Sequence, residues 1–186
     1  MLRISGVYAM TGSPSWAKLG RRAERPSFAD VAERHYGDVY AYLVYLTRDR
    51  AAAEDLTVET FEKALERWRR FDARRASAKT WLCTIARSAA LDHFRAEQTR
   101  RRREQAYVAQ QRDVEDAPVV GLAPELERAL GALSRGEREV IALRVVLEFD
   151  TAATARVLGI SRTACTTRLS RALEKLEAEV KVCAIA

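Results

Sequence analysis

The run over residues 136–176, GEREVIALRVVLEFDTAATARVLGISRTACTTRLSRALEKL, constrains this chain more than any other stretch. It reads as two short helical segments, a glycine-centred turn and a longer helix with Arg, Thr and Ser on its outer face. Ser134 and Glu137 have the spacing of a capping box, which opens a helix that buries Val140, Ile141, Leu143 and Val146. Asp150 is placed to cap the following helix, Gly159 supplies a left-handed stop, and Ser161 caps the last helix. That last helix has a buried stripe of Cys165, Leu169, Ala172, Leu173, Leu176 and Val180. A helix-turn-helix needs this order, because the second helix enters a DNA major groove while the first braces it. Ala155 is small enough for the two helices to approach, and Ile160 plugs the gap between them.

The residues expected to face DNA are Ser161, Arg162, Thr163, Thr166, Thr167, Arg168, Ser170 and Arg171. Arginine can read guanine or hold phosphate, and threonine can meet a thymine methyl or the backbone. A helical hairpin with a merely solvated polar face is the competing reading. The conjunction of cap, glycine and capping box favours DNA.

The rest of the chain fits an all-α protein. Its 186 residues carry only 8 Gly and 4 Pro, and no alternating Val/Ile/Thr runs bounded by turns are present. The net charge of +6 suits a polyanionic partner. Cys83, Cys165 and Cys183 lie far apart, so neither a disulfide framework nor a metal site is expected, and no cofactor is called for. No apolar stretch approaches the roughly 20 residues of a membrane span, and the N-terminus lacks a signal-peptide core, which predicts a cytoplasmic protein. No P-loop is present, and no catalysis is expected.

Residues 1–26 mix Gly, Ser, Pro and Arg without a period and read as a disordered extension. Ser27 then caps a helix with Phe28, Val31, Ala32, His35, Tyr36, Val39, Tyr40, Leu43 and Leu46 at steps of three and four, ending near Thr47. A second helix runs from about Asp49 to about Arg70, with Leu56, Phe61, Ala64, Leu65 and Trp68 inward and Glu54, Asp55, Glu59, Glu62 and Glu66 outward. A loop over residues 71–77 leads into a third helix that turns Trp81, Leu82, Ile85, Ala86 and Ala89 inward and leaves Arg87, Ser88, Asp92 and Arg95 outside. From Glu97 to Pro124 the periodicity fails. There a basic run, Arg100 to Arg103, is followed by Gln-rich and then acidic sequence, and the segment reads as a linker that partly continues the third helix at its start. The expected organisation is thus two small helical domains, 27–98 and 124–182, joined by a flexible linker over 99–123. The second is a four-helix domain that carries the helix-turn-helix.

The blocks EREVIALR, A-x-x-LGIS and RLSRAL-x-K-L resemble the fourth conserved region of bacterial RNA polymerase sigma factors. AEDLTVETFEKAL, followed by F-D and TWLCTIARSAALDHFR, is similar to their second region. With only these two regions and a short linker, the chain resembles the extracytoplasmic-function group of the sigma-70 family. The resemblance implies an alternative sigma factor that binds core polymerase at the largest-subunit clamp helices and at the flap. It also implies promoter DNA as a partner and a dedicated anti-sigma factor. Carried onto this sequence, Asp55, Leu56, Glu59, Thr60 and Phe61 would meet the polymerase. Phe71, Arg74, Arg75, Lys79, Trp81, Arg87 and Arg95 would engage the melted −10 element, with His93 as a further source of charge. The helix-turn-helix residues would read the −35 element.

Thr154, Cys165 and Thr166 depart from the family's usual residues. Losing a Lys at Thr166 weakens generic phosphate attraction and leaves the −35 preference open. Two other readings compete. One is a helix-turn-helix regulator of the response-regulator type, which would need an α/β receiver upstream, where no strand pattern exists. The other is a helical adaptor with no DNA role.

Overall fold

In the computed structural model, residues 26–107 and 124–185 are described, and among them every regular element is helical. Helix α1 spans Phe28–Thr47, α2 Arg50–Arg67 with a 3-10 turn at Trp68–Arg70, and α3 Ala78–Tyr107. The second set is α4 Pro124–Ala132, α5 Arg135–Ile141 running into a π turn at Ala142–Val146, α6 Thr151–Leu158, and α7 Arg162–Ile185. The residues expected to form an N-terminal extension, and those of the acidic linker segment 108–123, lie outside the described residues.

Local chemistry fixes the boundaries. Ser27 Oγ accepts the Asp30 N–H at 3.1 Å, Asp49 Oδ1 accepts the Ala52 N–H at 3.1 Å, and Asp150 Oδ1 accepts the Ala153 N–H at 2.6 Å. Each satisfies a donor that the first helical turn leaves without a partner. The capping box is complete, with Glu137 Oε2 accepting the Ser134 N–H at 2.8 Å. Gly159 sits at φ +65°, and its N–H and that of Ile160 return to the carbonyls ending α6.

Helices α1, α2 and α3 pack on one another, as do α4, α5, α6 and α7, and the two sets also pack together through α3 against α6 and α1 against α5 and the π turn. Buried residues from both sets form one continuous apolar cluster, with Tyr42, Leu43, Leu46 and Leu82 on one side and Val140, Leu143 and Cys165 on the other.

Three sequence expectations are revised. The inward stripe of α2 is Ala53, Leu56, Thr57, Thr60 and Ala64, whereas Leu65 is exposed. Both threonines can be buried because their hydroxyls donate to the carbonyls of Ala53 and Leu56, each at 2.6 Å. Helix α3 continues past Glu97 to Tyr107, so the continuation of the third helix expected at the start of the linker takes in all of Arg100 to Arg103. An Arg101–Glu97 pair at 2.7 Å supports this polar extension. Finally, Val146 and Leu173 are exposed rather than buried. The π turn inserts an extra residue after α5 and rotates Val145 and Val146 to the surface.

Candidate nucleic-acid interface

The helix-turn-helix is built from α6 and α7. Ala155 is buried at the crossing, and Ile160 packs against the core between the helices. Ser161 Oγ accepts the Ala164 N–H at 3.1 Å and so fixes the start of α7. Arg162, Thr163, Thr166, Thr167, Ser170 and Arg171 are exposed along α7 and form a continuous polar face. Two hydroxyls on that face are already used locally: Thr166 Oγ1 donates to Arg162 O at 3.1 Å, and Ser170 Oγ donates to Glu174 Oε1 at 3.1 Å. Arg168 differs from the rest. It is half-buried, with its guanidinium folded over Gly136 of α5, so that a β-carbon on Gly136 would lie 3.2 Å from Nη1. Arg168 braces α7 against α5 from the edge of the reading face.

Two of the unusual residues pack without penalty. Thr154 is fully buried, with its hydroxyl donating to Asp150 O at 2.8 Å, and Cys165 is buried in the core. A second tie holds α7 to α5: Lys175 Nζ lies 2.8 Å from Glu137 Oε1. Together with the Ser134 hydrogen bonds it outweighs burial and holds the Glu137 carboxyl down at about 2. The reading helix is therefore fixed at two points to the helix behind it.

In the N-terminal set, the loop over residues 71–77 exposes Arg74 and Arg75, and the Arg74 N–H donates to Asp72 Oδ1 at 2.9 Å. Phe71 and Trp81 stand with Trp68 in an aromatic cluster, with centroid separations of 4.9 Å for Trp68–Phe71, 5.1 Å for Phe71–Trp81 and 5.8 Å for Trp68–Trp81. Phe71 is buried and Trp81 half-buried, so both contribute first to packing. Arg95 is exposed and pairs with Asp92 at 2.8 Å. His93 is half-buried, edge-on to Phe94.

Lys79 and Arg87 are not open to solvent as a free DNA-binding face would require. Arg87 donates to both carboxylate oxygens of Glu139 on α5, at 3.1 and 3.4 Å, and Glu139 is only 3% exposed. Lys79 Nζ is shared among Asp38 Oδ1 at 3.0 Å, Leu147 O at 3.0 Å and the Phe149 ring at 5.3 Å. Burial alone would raise the Asp38 carboxyl, but His35 and Lys79 together hold it below its ordinary range. The Arg87 environment was invisible in the sequence, because its partner lies 52 positions away.

The face expected to meet polymerase is divided. Leu56 and Thr60 belong to the core, Asp55 is exposed, and Glu59 and Phe61 are partly so. Asp55 shares its stripe with Val58, Glu62 and Leu65. Val58 and Leu65 are more than half exposed, and with Tyr36 of α1 they form an acidic-rimmed apolar surface. A groove of about 550 Å³ between Tyr36, Tyr40, Glu54, Asp55 and Val58 opens on it. Steps of three and four from Asp55 to Leu65 would have identified this stripe, had Val58 been weighed with the acidic residues rather than passed over. A second cleft of about 550 Å³, between the α1–α2 corner, α3 and α5, is lined by Arg48, Arg100, Arg101, Arg135 and Arg138. Arg135 lies over the Phe94 ring at 3.9 Å there. No helix among the described residues is long and apolar enough to cross a membrane.

Residues 31–100 match the family model for sigma-70 region 2, and residues 124–176 match that for sigma-70 region 4. The chain is 30% identical over 167 residues to the ECF RNA polymerase sigma factor SigX of Bacillus subtilis, covering 84% of each chain. It is 32% identical over 158 residues to the ECF RNA polymerase sigma factor BldN of Streptomyces coelicolor, where the match spans 82% of this chain and 60% of that relative. Among solved structures it resembles the sigma factor RpoE from Bartonella quintana, determined in complex with the anti-sigma factor NepR. That match has a TM-score of 0.69 and 25% identity, covering 83% of this chain and 97% of that one. It shares its fold with CnrH, solved with the cytosolic domain of CnrY, at a TM-score of 0.61. With both regions present in order, the chain belongs to the sigma-70 family, in its group of extracytoplasmic-function sigma factors.

Proposed function

We propose that this alternative sigma factor works as a two-point promoter reader on core RNA polymerase, in the cytoplasm and without catalysis of its own. The observation that carries this reading is the exposed face of α7, Arg162 to Arg171, held rigidly by Glu137–Lys175 and by the Gly159 turn. That face enters the major groove of the −35 element, with Arg162 and Arg171 the candidates for base contact. The loop over residues 71–77 and the start of α3 hold the unpaired −10 strand, with Arg74 and Arg75 on phosphates and the half-buried Trp81, backed by Phe71, as the stacking surface. Asp55, Val58, Glu59 and Leu65, with Tyr36, dock on the clamp helices, and the exposed Val145, Val146 and Leu173 are the matching apolar surface for the flap. Melting is driven by capture of flipped bases and by polymerase contacts. By analogy with the complex solved for RpoE, an anti-sigma partner controls the chain.

The test is transcription in vitro. Purified core polymerase and this chain are given a library of −35/−10 promoters, and selective initiation from a subset is the expected result. Failure to bind core polymerase at moderate salt refutes the reading.

A further inference from the structure

We propose that the arginine-lined cleft between the α1–α2 corner, α3 and α5 is a binding site for a nucleoside polyphosphate. The cleft encloses about 550 Å³, within the range of about 300–1,000 Å³ that small-molecule sites occupy. Among the described residues, five arginines line it, Arg48, Arg100, Arg101, Arg135 and Arg138, against two carboxylates, Asp49 and Glu97. Both carboxylates are already committed. Asp49 Oδ1 accepts the Ala52 N–H at 3.1 Å, and Glu97 Oε1 pairs with Arg101 Nη2 at 2.7 Å. The lining thus carries a formal excess of three positive charges, gathered from several elements into one concavity. Guanidinium groups brought together in this way repel one another, a cost that an anion with several adjacent oxygens offsets through bidentate hydrogen bonds.

Two of the five arginines are held in place from behind. Arg48 ends α1 in the left-handed region at φ 58°, and its guanidinium lies along Gly131 of α4, where a β-carbon would stand 3.4 Å from Nη1. Arg138 Nη1 donates to the Leu133 carbonyl at 2.6 Å. Both are half-buried, whereas Arg100, Arg101 and Arg135 are exposed. Cations that are positioned before a ligand arrives lower the ordering cost of binding it.

An inorganic anion would leave part of this site unused. Leu46, Ala52 and Ala96 add apolar wall, and the Arg135 guanidinium lies over the Phe94 ring at 3.9 Å. Phe94 and Arg135 also line a second cavity of about 340 Å³, so their stack stands where the two cavities adjoin. A guanidinium laid on an aromatic ring presents a flat cationic surface on which a base can stack. Phosphates on the arginines and a base on the Arg135–Phe94 stack occupy both cavities together. A DNA duplex fits less well, because its phosphates lie on a convex surface and would meet only the exposed arginines. The site is separate from the α7 face and from the loop over residues 71–77, and its test needs neither polymerase nor promoter.

The experiment is isothermal titration calorimetry of the full chain, in magnesium-free buffer, with ATP, GTP and inorganic triphosphate. Saturable binding of ATP and GTP in the micromolar range is expected, about tenfold tighter than triphosphate, which is within what one stacked base contributes. Arg101→Ala should weaken all three ligands about fivefold or more. Arg135→Lys keeps the charge but not the flat surface, so it should bring ATP to the affinity of triphosphate and leave triphosphate unchanged. Arg34→Ala, at an exposed position about 20 Å from the cleft along α1, should change nothing. Circular dichroism checks that each variant keeps its helix content. No binding below millimolar nucleotide, equal affinity of wild type for ATP and triphosphate, or a loss in Arg34→Ala as large as that in Arg101→Ala overturns the proposal. A single-stranded oligonucleotide that binds tighter than ATP and loses its affinity in Arg101→Ala would assign the cleft to a nucleic-acid backbone and overturn it as well.

Discussion

Replacing Glu137 by Gln tests whether the reading helix is held by a charge or merely by packing. The carboxylate accepts the Ser134 N–H at 2.8 Å and sits 2.8 Å from Lys175 Nζ on α7, which lowers its pKa from 4.5 to about 2. A depressed carboxyl contributes stability that is complete above its unfolded value of 4.5 and is lost as pH falls toward 2. Linkage at about 1.4 kcal/mol per pH decade sets a ceiling of about 3 kcal/mol. Lys175 is 53% exposed, and solvent screening of that partner brings the expected loss to about 2 kcal/mol. For a unit of this size that is a fall in Tm of about 4–8 °C. Urea unfolding of wild type and variant at pH 7 and pH 3 is the assay, and the difference should shrink by about half at pH 3 because the wild type loses its advantage there. A difference that is the same at both pH values, or smaller than about 0.5 kcal/mol at pH 7, refutes the argument and makes Glu137 a neutral cap.

Four further outcomes are expected. Arg162→Ala or Arg171→Ala should weaken −35 duplex binding by about 1–3 kcal/mol if the residue reads a base, and unchanged affinity in both places recognition elsewhere. Gly159→Ala should cost about 1–2 kcal/mol in urea unfolding from its positive φ alone, since nothing lies within 4 Å of the new β-carbon. Burial pushes the Cys83 thiol up to about 12 and raises that of Cys165, so mass spectrometry should find neither alkylated at neutral pH until the chain opens. Tyr42→Phe should raise the free energy of unfolding in urea by about 1 kcal/mol through relieved desolvation; a loss of stability would mean that the hydroxyl is bonded.

How much could be read from the sequence depended on the range of the interaction. The caps at Ser27, Asp49, Ser134 and Asp150 and the turn at Gly159 are set by residues within a few positions of one another, and each stands where the spacing places it. The inward stripe of α2 was misread because hydropathy favours Leu65 over Thr57 and Thr60. A threonine that bonds its own helix loses little by burial, whereas Leu65 lies on the outer stripe with Val58. How far α3 runs beyond Glu97 was not legible, because a polar helix stabilised by pairs such as Glu97–Arg101 carries no apolar period. At the candidate site, the α7 face was legible from capping and spacing. The partners of Lys79 and Arg87 were not, since they come from other elements, far from either residue in sequence.

Those long-range partners also explain why the interface between the helical sets is polar at its centre. Residues that hold DNA phosphates must be cationic, and a surface that covers them must either neutralise those charges or strand them out of water. Glu139 does the first for Arg87, while Lys79 is neutralised by Asp38 of α1 and donates a further hydrogen bond to the Leu147 carbonyl. An apolar cover would remove the carboxylate from Arg87. One carboxylate, one carbonyl and an unsatisfied tyrosine hydroxyl thus occupy the seam between the helical sets, where Arg87 and Lys79 each keep a partner.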